Sequence, residues 1–155
     1  MAPDPDSESS DLLHACAAAI ADRGLLITGA AGTGKSTLLC ELLALGADLV
    51  ADDRVVLSAQ SGCAPTLSAP RATAGLVEMR GAGILRMPHR DAVPLWLIAD
   101  LDATPAERMP PALTRPLCGH SCPVMLCRSV RGAAARLILV LRSGRLPDPF
   151  QGAET

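Results

Sequence analysis

Gly29-Ala-Ala-Gly-Thr-Gly-Lys-Ser36 reads GxxxxGKS and holds the only lysine of the chain, Lys35, against thirteen arginines. Glycines at 29, 32 and 34 let the backbone turn through conformations closed to residues with a Cβ, so successive N–H groups can point inward and cradle phosphates. In such a loop Lys35 reaches the β and γ phosphates and the Ser36 hydroxyl meets Mg²⁺. A helix starting there aims its positive end at the anion. Gly29, Ala30, Ala31, Gly32, Thr33, Gly34, Lys35, Ser36 and Thr37 are the candidate contacts to a nucleoside triphosphate.

A second group of chemically capable residues closes the stretch Ala47-Asp-Leu-Val-Ala-Asp52-Asp53, seventeen and eighteen residues after Lys35. A carboxylate at the end of a short apolar strand can contact Mg²⁺ through water or accept a proton from an attacking hydroxyl. Two adjacent carboxylates can divide those roles, although Asp-Asp-Arg is also good turn composition. Further on, Val77-Glu-Met-Arg-Gly-Ala-Gly-Ile-Leu-Arg86 places an acid, a base and two glycines in an apolar context. Taken locally it predicts strand, tight turn and strand, with Glu78 and Arg80 on one solvated face.

The elements that must position these groups are partly visible. Leu25-Leu-Ile-Thr28 is a short apolar strand entering the glycine loop, and the run from Ser36 to Leu45 is helical until Gly46. Residues 132–142 form a second plausible helix, while 65–70 and 103–111 are loops by composition. The alanine-rich stretch 12–21 is helical by propensity alone.

Composition bounds the function classes. With 155 residues, 49% of them hydrophobic, the chain has enough material for one domain with a real core. A formal charge of −2, no basic patch, one Trp, one Phe and no Tyr argue against a nucleic-acid surface. Asp4, Asp6, Glu8 and Asp11 precede any basic residue, which is the reverse of a secretory signal. Residues 1–10 read as a disordered acidic tail and 146–155 as a flexible one. No apolar run approaches a membrane span, so a cytoplasmic location and no membrane partner are expected. Cys118, Cys122 and Cys127 with His120 match no common zinc spacing. Cys16, Cys40 and Cys63 lie in apolar stretches and read as reduced core thiols.

Order and spacing tie these pieces together. His14 lies fifteen residues before Gly29, followed by the glycine loop, Leu49-Val-Ala-Asp-Asp53 and Glu78-Met-Arg-Gly-Ala-Gly-Ile84. The chain resembles the catalytic domain of bacterial HPr kinase/phosphorylase, whose pattern is a His-led strand, a GxxGxGKS loop, a VADD strand end and an E-x-R-G-x-G-I signature. The likeness covers residues 14–86, about half of the chain. It implies an α/β P-loop (Walker A) kinase domain with a mixed sheet and flanking helices, spanning residues 11–145. It also implies transfer of a phosphoryl group from ATP to a regulatory serine of HPr, a small phosphocarrier protein of the sugar phosphotransferase system.

Carried across by position, the resemblance makes His14, Lys35, Asp52 and Asp53 catalytic. Ser36 and Glu78 would ligate Mg²⁺, one aspartate of the pair would take the serine proton, and Arg80 would shape the signature loop. It replaces the helix at 12–21 by a strand turning near Asp22-Arg23-Gly24, and it implies a homo-oligomer, a hexamer in the family. Thr37 stands where the family commonly has Glu. The arginine-bearing VRPGRN segment is reduced, with Arg115-Pro116 as its candidate remnant. The carboxy-terminal helices look shortened and His14 comes near the start, so a catalytic domain on its own is expected, with kinase activity favoured over reverse phosphorylase activity. Two rival classes use the same loop: a small-molecule kinase, which normally adds an arginine-bearing lid, and a non-catalytic nucleotide sensor. A GTPase is excluded because no N/TKxD motif can exist where Lys35 is the only lysine.

Overall fold

The computed structural model describes residues 10–148. Of the two expected tails, only Ser10, which opens the first strand, and residues 146–148 fall within that range; the rest lies outside the described residues. In chain order the elements are β1 (Ser10–His14), β2 (Cys16–Ile20), β3 (Arg23–Thr28), α1 (Lys35–Ala44), β4 (Asp48–Ala51), β5 (Arg54–Gln60) and β6 (Cys63–Ser68). They continue with β7 (Leu76–Met79), β8 (Gly83–Arg86), β9 (Val93–Asp100), β10 (Leu113–Leu117), β11 (His120–Leu126) and α2 (Ala133–Ser143). Nine strands make one curled, mixed sheet in the order β1-β5-β6-β9-β3-β2-β4, with β11 joined to β9 and β10 to β11. β9 runs parallel to both β3 and β11, and the other ladders are antiparallel. β7 and β8 form a separate hairpin.

The alanines of β2 have a packing reason. Cys16 and Ala18 face the core beneath α1 and α2, whereas Ala17 and Ala19 face a second core on the other side of the sheet. β3 divides in the same way, with Leu25 and Ile27 toward the helices and Leu26 away from them. This is the period of two in a strand covered on both faces. Small side chains let both layers approach, and burial overrides the helical propensity of alanine. Leu38, Leu39 and Leu42 of α1 and Leu137, Ile138 and Leu141 of α2 complete the helical layer. Each contributes roughly 1.5–3 kcal/mol of transfer free energy.

The expected strand at 12–21 is two strands. β1 pairs with β5, β2 pairs with β3 and β4, and the break falls at Ala15. Residues 10–20 thus run antiparallel to residues 48–58 as one ribbon, interrupted where Asp52 and Asp53 carry the partner from β4 to β5. The interruption follows from Asp53, whose φ of 66° is left-handed and cannot continue a ladder. The turn into β3 is made at Ala21 and Asp22, also with a left-handed residue, Ala21 at φ 52°. The helix expected over 36–45 is found as Lys35–Ala44, and that at 132–142 as Ala133–Ser143.

Other expectations need correction. Pro65 does not open a loop but lies within β6, where the register to β5 advances three residues against two between Cys63 and Thr66. The bulge absorbs the missing N–H of the proline. Arg80 falls in the β7–β8 turn rather than on the strand with Glu78, although both are exposed. Cys40 and Cys63 are exposed, not core thiols; Cys16, Cys122 and Cys127 are buried. Among the described residues no helix is long and apolar enough to cross a membrane.

Gly24 shows how tightly β3 meets β9. A Cβ there would sit 2.5 Å from the Pro94 carbonyl oxygen and 2.9 Å from a Val93 methyl carbon. Backbone cannot move aside as a flexible side chain can. Gly24→Ala is expected to lower stability by about 1–3 kcal/mol, read as a reduced urea midpoint with unchanged slope; an unaltered midpoint would show that β3 has slack against β9.

Candidate functional site

The 29–36 loop leaves the end of β3 and enters α1 through Gly34, whose φ of 100° is left-handed and which offers no side-chain cap. The first-turn N–H groups of α1 are thus uncapped by any side chain, which suits an anion. Lys35 folds back over the loop, donating from Nζ to the carbonyls of Gly29 at 2.6 Å and Ala30 at 3.1 Å. Thr33 Oγ1 donates to the same Ala30 carbonyl at 2.8 Å. The loop thus ties the carbonyls of Gly29 and Ala30 to its own donors.

That cleft has a volume of about 960 Å³. Its walls include His14, the loop, Asp52, Asp53, Glu78 and Arg80, so residues far apart in sequence converge on one space. Ala31, Thr37, Cys40 and Glu41 line it as well, while Thr33 serves the loop from within. All four catalytic candidates and both metal candidates are brought together.

The two aspartates part sharply. Asp52 is 8% exposed and accepts from the Ser36 hydroxyl at 3.2 Å, the Cys16 thiol at 3.4 Å and the Glu78 backbone N–H at 3.0 Å. Asp53, one residue on, has a side chain 69% exposed, and its Oδ1 lies 3.8 Å from His14 Nδ1. The β1–β5 register produces this second pairing: His14 is opposite Arg54, and the Ala15 N–H donates to the Asp53 carbonyl at 3.2 Å. The left-handed turn at Asp53 rotates its side chain away from the pocket that holds Asp52. One carboxylate is fixed beside the serine of the loop and the other is presented to the cleft.

Oxygen donors gather where a divalent cation beside a triphosphate would need them: the Ser36 hydroxyl, the Asp52 carboxylate bonded to it, and Glu78 on the same cleft. Among the described residues no three His, Cys, Asp or Glu side chains form a self-sufficient metal cage. Mg²⁺ fits a sparse set of this kind, because it keeps several waters and shares phosphate oxygens.

Two acids of the loop's support, Asp100 and Asp102, went unnoticed in the sequence. Asp102 Oδ1 accepts the Ala30 N–H at 2.8 Å, and buried Asp100 accepts the Asp102 N–H at 2.7 Å. Arg115 pairs with Asp100 at 2.5 Å and reaches Thr28 Oγ1 at 3.4 Å. Arg115, taken from the sequence as the remnant of an arginine-bearing segment, is a β10 residue that braces the ends of β9 and β3 and is absent from the cleft wall. The signal was present: Asp100-Leu-Asp102 closes an apolar run just as Asp52-Asp53 does.

This arrangement of loop, paired acids and hairpin defines a class, and comparison with known proteins identifies it. Residues 7–90 match the family described as the HPr Serine kinase C-terminal domain, and the chain belongs to that family. It is 41% identical over 76 residues to an HPr kinase/phosphorylase of Clostridium tetani, covering 49% of this chain and 25% of the relative. A second, from Xylella fastidiosa, is 40% identical over 77 residues, covering 50% and 24%. The chain spans about a quarter of the length of these curated relatives. Among solved structures it is similar to the HPr(Ser) kinase/phosphatase from Coxiella burnetii, with a TM-score of 0.74 and 25% identity over 93% of this chain and 94% of that one.

The unequal settings of the two acids have a measurable consequence. Asp52→Ala strands three donors and is expected to cost about 1–3 kcal/mol in urea unfolding. Asp53→Asn should change stability by less than about 0.5 kcal/mol, since asparagine tolerates the left-handed conformation and the side chain is exposed. Equal losses in the two variants would contradict the division described above.

Proposed function

We propose that this chain is an ATP-dependent protein kinase that phosphorylates a serine of an HPr-type phosphocarrier protein. The observation that carries the reading is the split between a buried Asp52 bonded to Ser36 and an exposed Asp53 beside His14, both facing the cleft that Lys35 and the glycine loop border.

In this reading residues 29–37 form a P-loop of Walker A type. The loop amides and the Lys35 ammonium hold the triphosphate, with Lys35 exchanging its two carbonyl partners for phosphate oxygens. Ser36 and Glu78 would hold Mg²⁺, with Asp52 orienting the Ser36 hydroxyl; the ion would neutralise phosphate charge. Asp53 accepts the proton of the acceptor serine as its oxygen attacks the γ-phosphorus, and the bond to the β-phosphate oxygen breaks, leaving ADP. His14, within reach of Asp53, holds that carboxylate toward the incoming hydroxyl. Phosphoryl transfer requires mainly alignment and charge neutralisation, and these groups supply both. Domain limits of 11–145, a homo-oligomer and a forward reaction that outweighs phosphorolysis complete the proposal.

The test is intact-mass analysis of an HPr-type protein incubated with Mg-ATP and the chain. Wild type should add one phosphoryl group to a serine. Lys35→Ala should abolish transfer, and Asp53→Asn should slow it by about 10²–10⁴-fold while nucleotide binding persists. Transfer by Asp53→Asn at the wild-type rate would remove Asp53 as the base. An unmodified acceptor in the presence of normal ATP binding would favour a nucleotide sensor.

A further inference from the structure

Cys16 bonds an acid of the cleft from the core side, and nothing above gives it a task. It opens β2, is 0% exposed, and lies two residues beyond His14, hence on the same face of the ribbon. Its thiol donates to Asp52 Oδ1 at 3.4 Å, the same oxygen that receives the Ser36 hydroxyl, while Oδ2 is held by the Glu78 N–H. Cys16 thus shares one acceptor oxygen with the serine of the loop.

Burial pushes this thiol up to about 11; the Asp53 amide pulls the other way, and the negative charge of Asp52 adds to the rise. A buried cysteine that merely fills space needs no such partner. Among the described residues, Cys16 and Ser36 are the side-chain donors that Asp52 receives, both on Oδ1.

We propose that Cys16 is a positioning residue of the phosphoryl-transfer site, whose S–H locks the Asp52 carboxylate against Ser36. The inference rests on the kinase reading for its consequence, though not for its geometry. Cys16→Val keeps an apolar side chain and deletes the donor; Cys16→Ser keeps a donor.

Infrared difference spectra of wild type minus Cys16→Val isolate one S–H stretch. It should lie at the lowered frequency of a bonded thiol and rise in the Asp52→Ala background. In the transfer assay Cys16→Val should slow the reaction about tenfold with the acceptor KM unchanged, and Cys16→Ser should recover most of the rate. An unbonded S–H frequency overturns the proposal. So does a Cys16→Val variant at the wild-type rate, or a Cys16→Ser variant no faster than Cys16→Val. Should wild type phosphorylate no acceptor, the kinase reading fails separately, and the S–H band still decides whether Cys16 holds Asp52.

Discussion

The cleft depends on one ladder, the parallel pairing of β3 with β9. β3 has β9 on one side and β2 on the other, with both faces buried, so the point where the chain leaves it for the loop is fixed in three dimensions. The Leu101 N–H donates to the Thr28 carbonyl at 2.9 Å, extending the ladder into the first residue past β9. Asp102 then reaches the loop at Ala30. Acids stand on both flanks of the loop: Asp100 and Asp102 from the β9 side, Asp52 from the β4 side. Within the loop itself Asp102 bonds the Ala30 backbone and Asp52 the Ser36 side chain, so one flank holds the shape of the loop and the other the orientation of its serine.

Much of this was legible in the sequence because the loop, the acidic strand end and the glycine hairpin are local patterns with local causes. The strand before the loop, α1, the hairpin at 77–86 and α2 come from periodicity and punctuation that no distant contact needs to enforce. The alanine-rich β2 was not legible that way. Its strand character follows from having sheet neighbours on both edges and a core on both faces, which are tertiary facts, and only the resemblance supplied it. Pro65 misled for a similar reason, since a bulge depends on what the partner strand does.

The difference in setting between Asp52 and Asp53 lay beyond the sequence altogether. Two identical side chains differ there because one main-chain angle is left-handed, and nothing in Ala-Asp-Asp-Arg announces which residue will take it. The role of Arg115 was hidden likewise: its partners Thr28 and Asp100 are 87 and 15 residues away. Family membership accounts for the constellation; the register of β1 on β5 accounts for its geometry.

The two helices are tied crosswise at the same end. Arg142 of α2 donates to the Leu45 carbonyl just past α1 at 2.7 Å, and Arg23 of β3 donates to the Leu141 carbonyl of α2 at 2.6 Å. α1 is consequently anchored at its rear and left without a cap at the front, where it meets the cleft. In the proposed reading an anion arriving at the loop would supply the missing cap, and linkage would make that occupancy a contribution to the stability of the whole helical layer. Ligand recognition and the completion of the fold would then be, at this terminus, the same event.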